Sequence, residues 1–119
     1  MLVDDDTDVR AVITMGLEQL GFHVIQCVDG REAIEKFALE RPDVAIIDQR
    51  LPDTPGIEVG RQIKQMSGEY PVAIALLTGA DGPALRLEAQ QAQFDGFLVK
   101  PTRIQMLAKW INSQIDKST

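Results

Sequence analysis

The feature that most limits what this 119-residue chain can fold into is its alternation between two periodicities. Short runs rich in apolar residues recur along it: Leu2-Val3 leading into Asp4-Asp5-Asp6, His23-Val24-Ile25-Gln26-Cys27, Val44-Ala45-Ile46-Ile47, Val72-Ala73-Ile74-Ala75-Leu76-Leu77 and Phe97-Leu98-Val99. Continuous rather than alternating apolar runs are what strands need when both faces of a parallel sheet are covered. Between the runs the spacing is helical. Val9, Ile13, Gly16 and Leu20 form one stripe; Ala33, Ile34, Phe37 and Ala38 a second; Ile57 and Ile63, with Met66, a third. Ile104, Leu107, Ala108, Ile111 and Ile115 form the last. Asp29 and Glu32 have capping-box spacing, and Pro83 suits the first turn of a helix running to about Gln93. Five strands alternating with five helices predict an α/β fold of (βα)5 type, a parallel sheet wound on both faces by right-handed crossovers.

Composition narrows the function. The length suits a single domain spanning 1–119, and a hydrophobic fraction of 45% is enough for a core, which 5% aromatic content obliges aliphatic side chains to fill. A formal net charge of -6 argues against nonspecific binding to nucleic acid or to an anionic membrane. No apolar run approaches the roughly 18 residues of a membrane span and no signal peptide is visible, so a soluble, cytoplasmic chain is expected. A single cysteine, Cys27, and a single histidine, His23, provide neither an internal disulfide nor a Cys/His zinc site.

In open α/β sheets, sites form beyond the carboxyl ends of the strands. The residues there are Asp4, Asp5 and Asp6 after the first run, Asp48 after the third, Thr78 after the fourth, and Lys100 with Pro101 after the fifth. Alone, each has an ordinary reading: solvated turn or cap acids, a strand-end acid, a turn hydroxyl, a surface lysine. Together, in one chain order, they converge on one edge. Clustered carboxylates raise one another's pKa, and a bound cation or a lysine relieves the repulsion. Mg²⁺ suits such a site, being hard and oxygen-seeking.

These residues make the chain resemble a receiver domain of the two-component response-regulator family, a resemblance covering nearly all of its length. It is carried by Leu2-Val3-Asp4-Asp5-Asp6, Pro42-Asp43-Val44-Ala45-Ile46-Ile47-Asp48, Leu51-Pro52-Asp53 with Gly56, Leu77-Thr78-Gly79 and Phe97-Leu98-Val99-Lys100-Pro101. The resemblance implies a flavodoxin-like sheet of strand order 2-1-3-4-5. It implies Asp48 as acceptor of a phosphoryl group from a histidine kinase or histidine phosphotransfer domain. It implies Asp4 and Asp5 as holders of Mg²⁺, Asp5 directly and Asp4 through water, with Asp48 and the backbone carbonyl of Arg50 as further ligands. Thr78 would donate to a phosphoryl oxygen and Lys100 would pair with Asp48 and then with the phosphate. The Lys100-Pro101 bond is often cis in this family, which would aim Lys100 inward. The switch would pass from Thr78 to Phe97 and alter the surface of the fourth helix, fifth strand and fifth helix. Phe97 lacks a hydroxyl, so a buried rotamer is expected.

The chain also departs from the family pattern. Few residues precede the acidic pair, implying a short first strand, either trimmed at its start or held by fewer ladder hydrogen bonds. Arg50 and Ala80 flank the site without a carboxylate or amide to orient water, implying slow hydrolysis of the aspartyl phosphate. Val12 and Met15 lie beside the core stripe of the first helix, and Met106 and Trp110 opposite that of the last. The first pair is expected to dock the helical phosphodonor; the second suits dimer or output contacts. Cys27 reads as a core filler and His23 as a strand residue without a phosphate role. A receiver fold acting only as an interaction module and a Mg²⁺-dependent phosphatase are the alternatives. A phosphatase would want an aspartate where Arg50 stands. The chain is expected to be a switch rather than a metabolic enzyme, and the polar tail Asp116-Lys117-Ser118-Thr119 suits a piece of a longer protein such as a hybrid kinase or multidomain regulator.

Overall fold

The structure is a computed structural model and describes residues 1–117, with side chains to Asp116. In chain order it contains β1 (Leu2–Val3), α1 (Thr7–Gln19), β2 (Gln26–Cys27), α2 (Gly30–Glu40), β3 (Val44–Asp48), α3 (Gly56–Ser67), β4 (Ala73–Thr78), α4 (Pro83–Gln91), β5 (Gly96–Val99) and α5 (Ile104–Lys117). All pairings are parallel and the sheet order is β2-β1-β3-β4-β5. The (βα)5 fold and its predicted strand order are therefore both present.

Alternate residues of each strand feed opposite faces. Val3, Ala45, Ile47 and Ile74 pack with Ala33 and Phe37 of α2 and Val59 and Ile63 of α3. Leu2, Val44, Ile46 and Leu77 pack with Ile13 and Leu17 of α1 and with Leu107, Ala108 and Ile111 of α5. Ile57, Leu76, Ala89 and Ala92 form a smaller cluster under α4. The core is aliphatic, as the composition requires: of the largest fully buried side chains only Phe37 is aromatic. Each buried Leu, Ile or Val contributes about 1.5–3 kcal/mol relative to exposure.

Several boundaries differ from the sequence reading. The run His23–Cys27 pairs only at Gln26 and Cys27, because β1 offers two residues as partners; Ile25 adds a carbonyl that accepts Leu2 N–H at 2.8 Å. Leu20 is exposed and Leu17 takes its place, since α1 ends at Gln19 and Leu17 lies one turn on from Ile13. Ala38 and Met66 face solvent, and α4 stops at Gln91. Asp29 caps α2 by accepting Glu32 N–H at 2.8 Å, and Pro83 opens α4. No helix among the described residues is long and apolar enough to cross a membrane.

Candidate functional site

Strand register assembles the site. Val3 lies beside Ile47, so Asp4 and Asp48 leave the sheet side by side; Thr78 lies beside Val99, so Lys100 follows at the next position. Lys100 N–H donates to the Thr78 carbonyl at 2.7 Å, and the Lys100-Pro101 peptide is cis.

The acidic triplet divides its work. Asp6 is the N-cap of α1, accepting Asp8 N–H at 3.0 Å and Val9 N–H at 3.1 Å. Asp5 is exposed. Asp4 is fully buried; its Oδ1 accepts Asp6 N–H at 2.9 Å and its Oδ2 accepts Lys100 Nζ at 3.2 Å. Its backbone carbonyl accepts Arg10 Nη1 at 2.8 Å, and Arg10 Nε reaches Gln26 Oε1 at 3.2 Å. Arg10 thus fastens the acidic loop to the body of the sheet.

Asp48 is buried, with Lys100 Nζ 3.4 Å from its Oδ2. Burial, followed by the Asp4 charge, pushes its carboxyl above the usual range, against the pull of Lys100 and a hydrogen bond from Arg50 N–H. Burial acts to lower the Lys100 ammonium, but the Asp48 charge and then the Asp4 hydrogen bond outweigh it, and the net shift is upward. Both directions describe one strained charge cluster. Asp4, Asp5 and Asp48 each bring a carboxylate oxygen to within 4.8 Å of the others. Three carboxylates against one ammonium leave two negative charges, which a divalent hard cation with oxygen ligands would balance. The donor set therefore fits Mg²⁺.

The loop from Gln49 to Pro55 is held at several points. Gly56 N–H donates to the Gln49 carbonyl at 2.9 Å, Ile57 N–H to Gln49 Oε1 at 3.0 Å, and Arg50 bridges Pro55 in antiparallel fashion. Asp53 crosses to the start of α2, its two oxygens accepting Gly30 N–H at 2.9 Å and Arg31 N–H at 3.0 Å. The Gly30 bond leads in holding the Asp53 carboxyl below its ordinary pKa. Gly56 must be glycine: a Cβ there would lie 2.2 Å from the Asp48 carbonyl oxygen.

Across the site Thr78 is buried, and its hydroxyl is engaged with Ala80, donating to the carbonyl at 3.1 Å and accepting from N–H at 3.0 Å. Phe97 is half-buried rather than sealed in. Its inner side packs on the cluster under α4, and the Arg86 guanidinium lies over its ring, 4.4 Å from the centroid.

The model of the response regulator receiver domain matches residues 1–112. The chain belongs to that family. Receiver-bearing relatives include the response regulator MprA of Mycolicibacterium vanbaalenii, 31% identical over 119 residues, 100% of this chain and 51% of the relative. The alkaline phosphatase synthesis transcriptional regulatory protein PhoP of Bacillus subtilis is 33% identical over 101 residues, 85% of this chain and 41% of its own. The chain thus spans about half or less of the length of these relatives. The chemotaxis protein CheY4 of Vibrio cholerae superposes with a TM-score of 0.88 at 30% identity, covering 94% of this chain and 93% of that one. A receiver domain protein of Methanospirillum hungatei shares the fold, with a TM-score of 0.91 at 24% identity over 98% and 91% of the chains. The chain is accordingly a receiver domain of the kind found in two-component response regulators.

In this receiver the structure brings together Asp4, Asp5, Asp48 and Lys100, with Arg50 backbone beside them and its side chain exposed. Val12 and Met15 are exposed on α1, 64% and 63%. A largely apolar groove of about 560 Å³ runs from Val9, Val12 and Ile13 to Lys100, Pro101 and Thr102. The expected outward pair on α5 is half wrong. Met106 is exposed, but Trp110 is half-buried, because Gly96 leaves a slot on β5 that the indole fills; a Cβ there would meet Trp110 Nε1 at 2.6 Å. Cys27 is fully buried, its thiol pushed up to about 11 chiefly by burial, and His23 is exposed. Sequence reasoning missed Arg10, Gln49, Asp53's capping role and Arg86, all of which act on residues distant in sequence or through backbone groups.

Proposed function

We propose that this receiver accepts a phosphoryl group onto Asp48 from a phosphohistidine partner and relays the change to the α4–β5–α5 surface. What supports this most is the buried Asp48 carboxylate sharing Lys100 with Asp4 in a three-carboxylate cluster. One Asp48 carboxylate oxygen attacks phosphorus, the P–N bond to the donor imidazole breaks, and its electron pair returns to that ring, leaving an acyl phosphate. The Lys100 ammonium sits where charge on the phosphoryl oxygens grows and needs no reorganisation to meet it. Asp4, Asp5, Asp48 and the Arg50 carbonyl would hold Mg²⁺, which supplies neutralising charge to the phosphoryl oxygens. The buried Thr78 hydroxyl exchanges its bonds with Ala80 for one to the phosphate, and Phe97 repacks.

The donor is a histidine kinase or histidine phosphotransfer domain in the cytoplasm, its helix seated on Val12 and Met15 beside the groove at Pro101. Met106 on α5 belongs to the output or homodimer face, while Trp110 supports that face from within. Residues 1–119 act as one receiver domain within a larger regulator.

Incubation with Mg²⁺ and phosphoramidate should add one phosphoryl group by intact mass, lost in Asp48→Asn. An equal gain in that variant would sink the assignment. The acyl phosphate should be long-lived, because exposed Arg50 and Ala80 provide no group to orient water. Arg50→Asn should shorten its lifetime several-fold; a wild type that dephosphorylates faster than the variant contradicts this.

A further inference from the structure

A chain of contacts continues from the Thr78 turn beyond the phosphoryl site and joins the loop after β4 to β5. Thr78 and Ala80 close a small turn through the threonine hydroxyl, bonded to both the N–H and the carbonyl of Ala80. Asp81 is the next residue. Its carboxylate takes both arms of Arg86, Nε to Oδ1 at 2.7 Å and Nη2 to Oδ2 at 3.1 Å. Two parallel bonds fix the plane of a guanidinium, not only its position. The arginine so held lies over Phe97, 4.4 Å from the ring centroid and well inside the roughly 6 Å reach of a cation–π contact. The hydrogen bond from Arg86 also holds the Asp81 carboxyl below its ordinary range, so the pair stays charged at neutral pH. A phenylalanine offers no hydroxyl by which its orientation can be held; the cation over its exposed face supplies that hold.

We propose that Arg86, anchored by Asp81, is a positioning residue for Phe97: it fixes the resting orientation of the ring and ties that orientation to the turn between Thr78 and Ala80. The inference rests on the phosphoacceptor reading of Asp48 for what draws Thr78 away. When the Thr78 hydroxyl leaves Ala80, both bonds on Ala80 are lost and its neighbour Asp81 is freed. The fork on Arg86 then shifts and the ring loses its cation. The contact stabilises the resting state alone, so by linkage it opposes binding of anything that draws Thr78 inward. Asp81 and Arg86 are about half exposed, with side-chain exposures of 46% and 52%, so the coupling is worth a factor of about two to five and not orders of magnitude.

Beryllofluoride with Mg²⁺ serves as the phosphoryl mimic in the test. In the unliganded wild type, the Arg86 δ-methylene protons should be shifted upfield by the Phe97 ring current. The shift should vanish in Phe97→Leu and shrink in Asp81→Asn. The beryllofluoride concentration at half-saturation should fall about two- to fivefold in both Arg86→Ala and Asp81→Asn. Unshifted methylenes in the wild type, or a half-saturation that is unchanged or raised in either variant, overturn the proposal. A wild type that takes up no beryllofluoride overturns the phosphoacceptor reading and with it the coupling, while the ring-current result still decides whether Arg86 positions the ring.

Discussion

The two sides of the carboxyl-terminal edge are held by different physics. On the β1–β3 side, Asp4 and Asp48 are buried, Lys100 bonds Asp4 and lies against Asp48, and the loop after β3 is fastened at Gln49, Asp53 and Gly56. On the β4–α4–β5 side, Thr78 is satisfied by its own loop, and Ala89 is the one fully buried residue among the nine of α4. There the outer face of Phe97 on β5 is held by exposed Arg86, its inner side resting on the small cluster under α4. Buried charge is costly unless its partners are fixed in advance, so a side proposed to receive a phosphoryl group has to be rigid. A surface that reports the event has to have two arrangements of similar energy, and such regions come from the weakly packed end of a structure.

The rigid side can be broken most sharply at Lys100. Lys100→Ala leaves Asp4 and Asp48 facing each other without their cation, and phosphorylation by phosphoramidate should slow by about 100-fold, the scale of losing one preorganised charge donor. A loss under about threefold would place the lysine outside the chemistry.

Glycines sharpen the same contrast as a stability measurement. Gly56→Ala drives a methyl to 2.2 Å from the Asp48 carbonyl oxygen and should cost about 3 kcal/mol, read from urea denaturation. Gly79→Ala, in the loop after Thr78 with nothing within 4 Å of a new Cβ, should change stability by less than about 0.5 kcal/mol. Equal costs at the two positions would erase the distinction.

Donor docking separates from chemistry on α1. Val12→Glu with Met15→Glu should reduce transfer from a phosphohistidine protein about tenfold, the scale of losing a small apolar contact patch, and leave transfer from phosphoramidate unchanged. A parallel loss with both donors would mean the helix itself had been disturbed.

The smallest effect is on pH dependence without metal. The folded protein holds the Asp48 proton to a higher pH than the unfolded chain, whose carboxyl titrates near 3.8. Between those two values the native state binds more protons, so stability falls as pH rises through the window. In EDTA, the urea midpoint of the wild type should therefore decline relative to Asp48→Asn across that window and stay below it at pH 7. The lowered Asp53 and Asp81 carboxyls act in the opposite sense but are common to both proteins and cancel. Adding Mg²⁺ should restore the wild type by mass action. Identical slopes for the two proteins would show that Asp48 is not strained.

Much of the site was legible because its chemistry sits at strand ends. Asp4, Asp48, Thr78 and Lys100 each follow an apolar run, and parallel register carries them to one edge whatever the loops do. The fastenings were not legible. Asp53 caps a helix beginning 23 residues earlier, a partnership no local spacing encodes. Two misreadings have the same origin. His23–Ile25 has strand character, but a strand extends only as far as its neighbour, and β1 is two residues long. Trp110 falls off the core stripe of α5 on a helical projection, yet the missing side chain at Gly96 draws it in. A single helix does not reveal what the opposite strand leaves open.

The most direct test of a rigid charge site driving a loose reporting edge is amide NMR during titration with beryllofluoride and Mg²⁺. The largest shifts are expected along Thr78–Asp81 and at Phe97, smaller ones along β1 and β3, and none in Asp48→Asn. Shifts confined to the acidic pocket, or persisting in Asp48→Asn, would contradict that expectation.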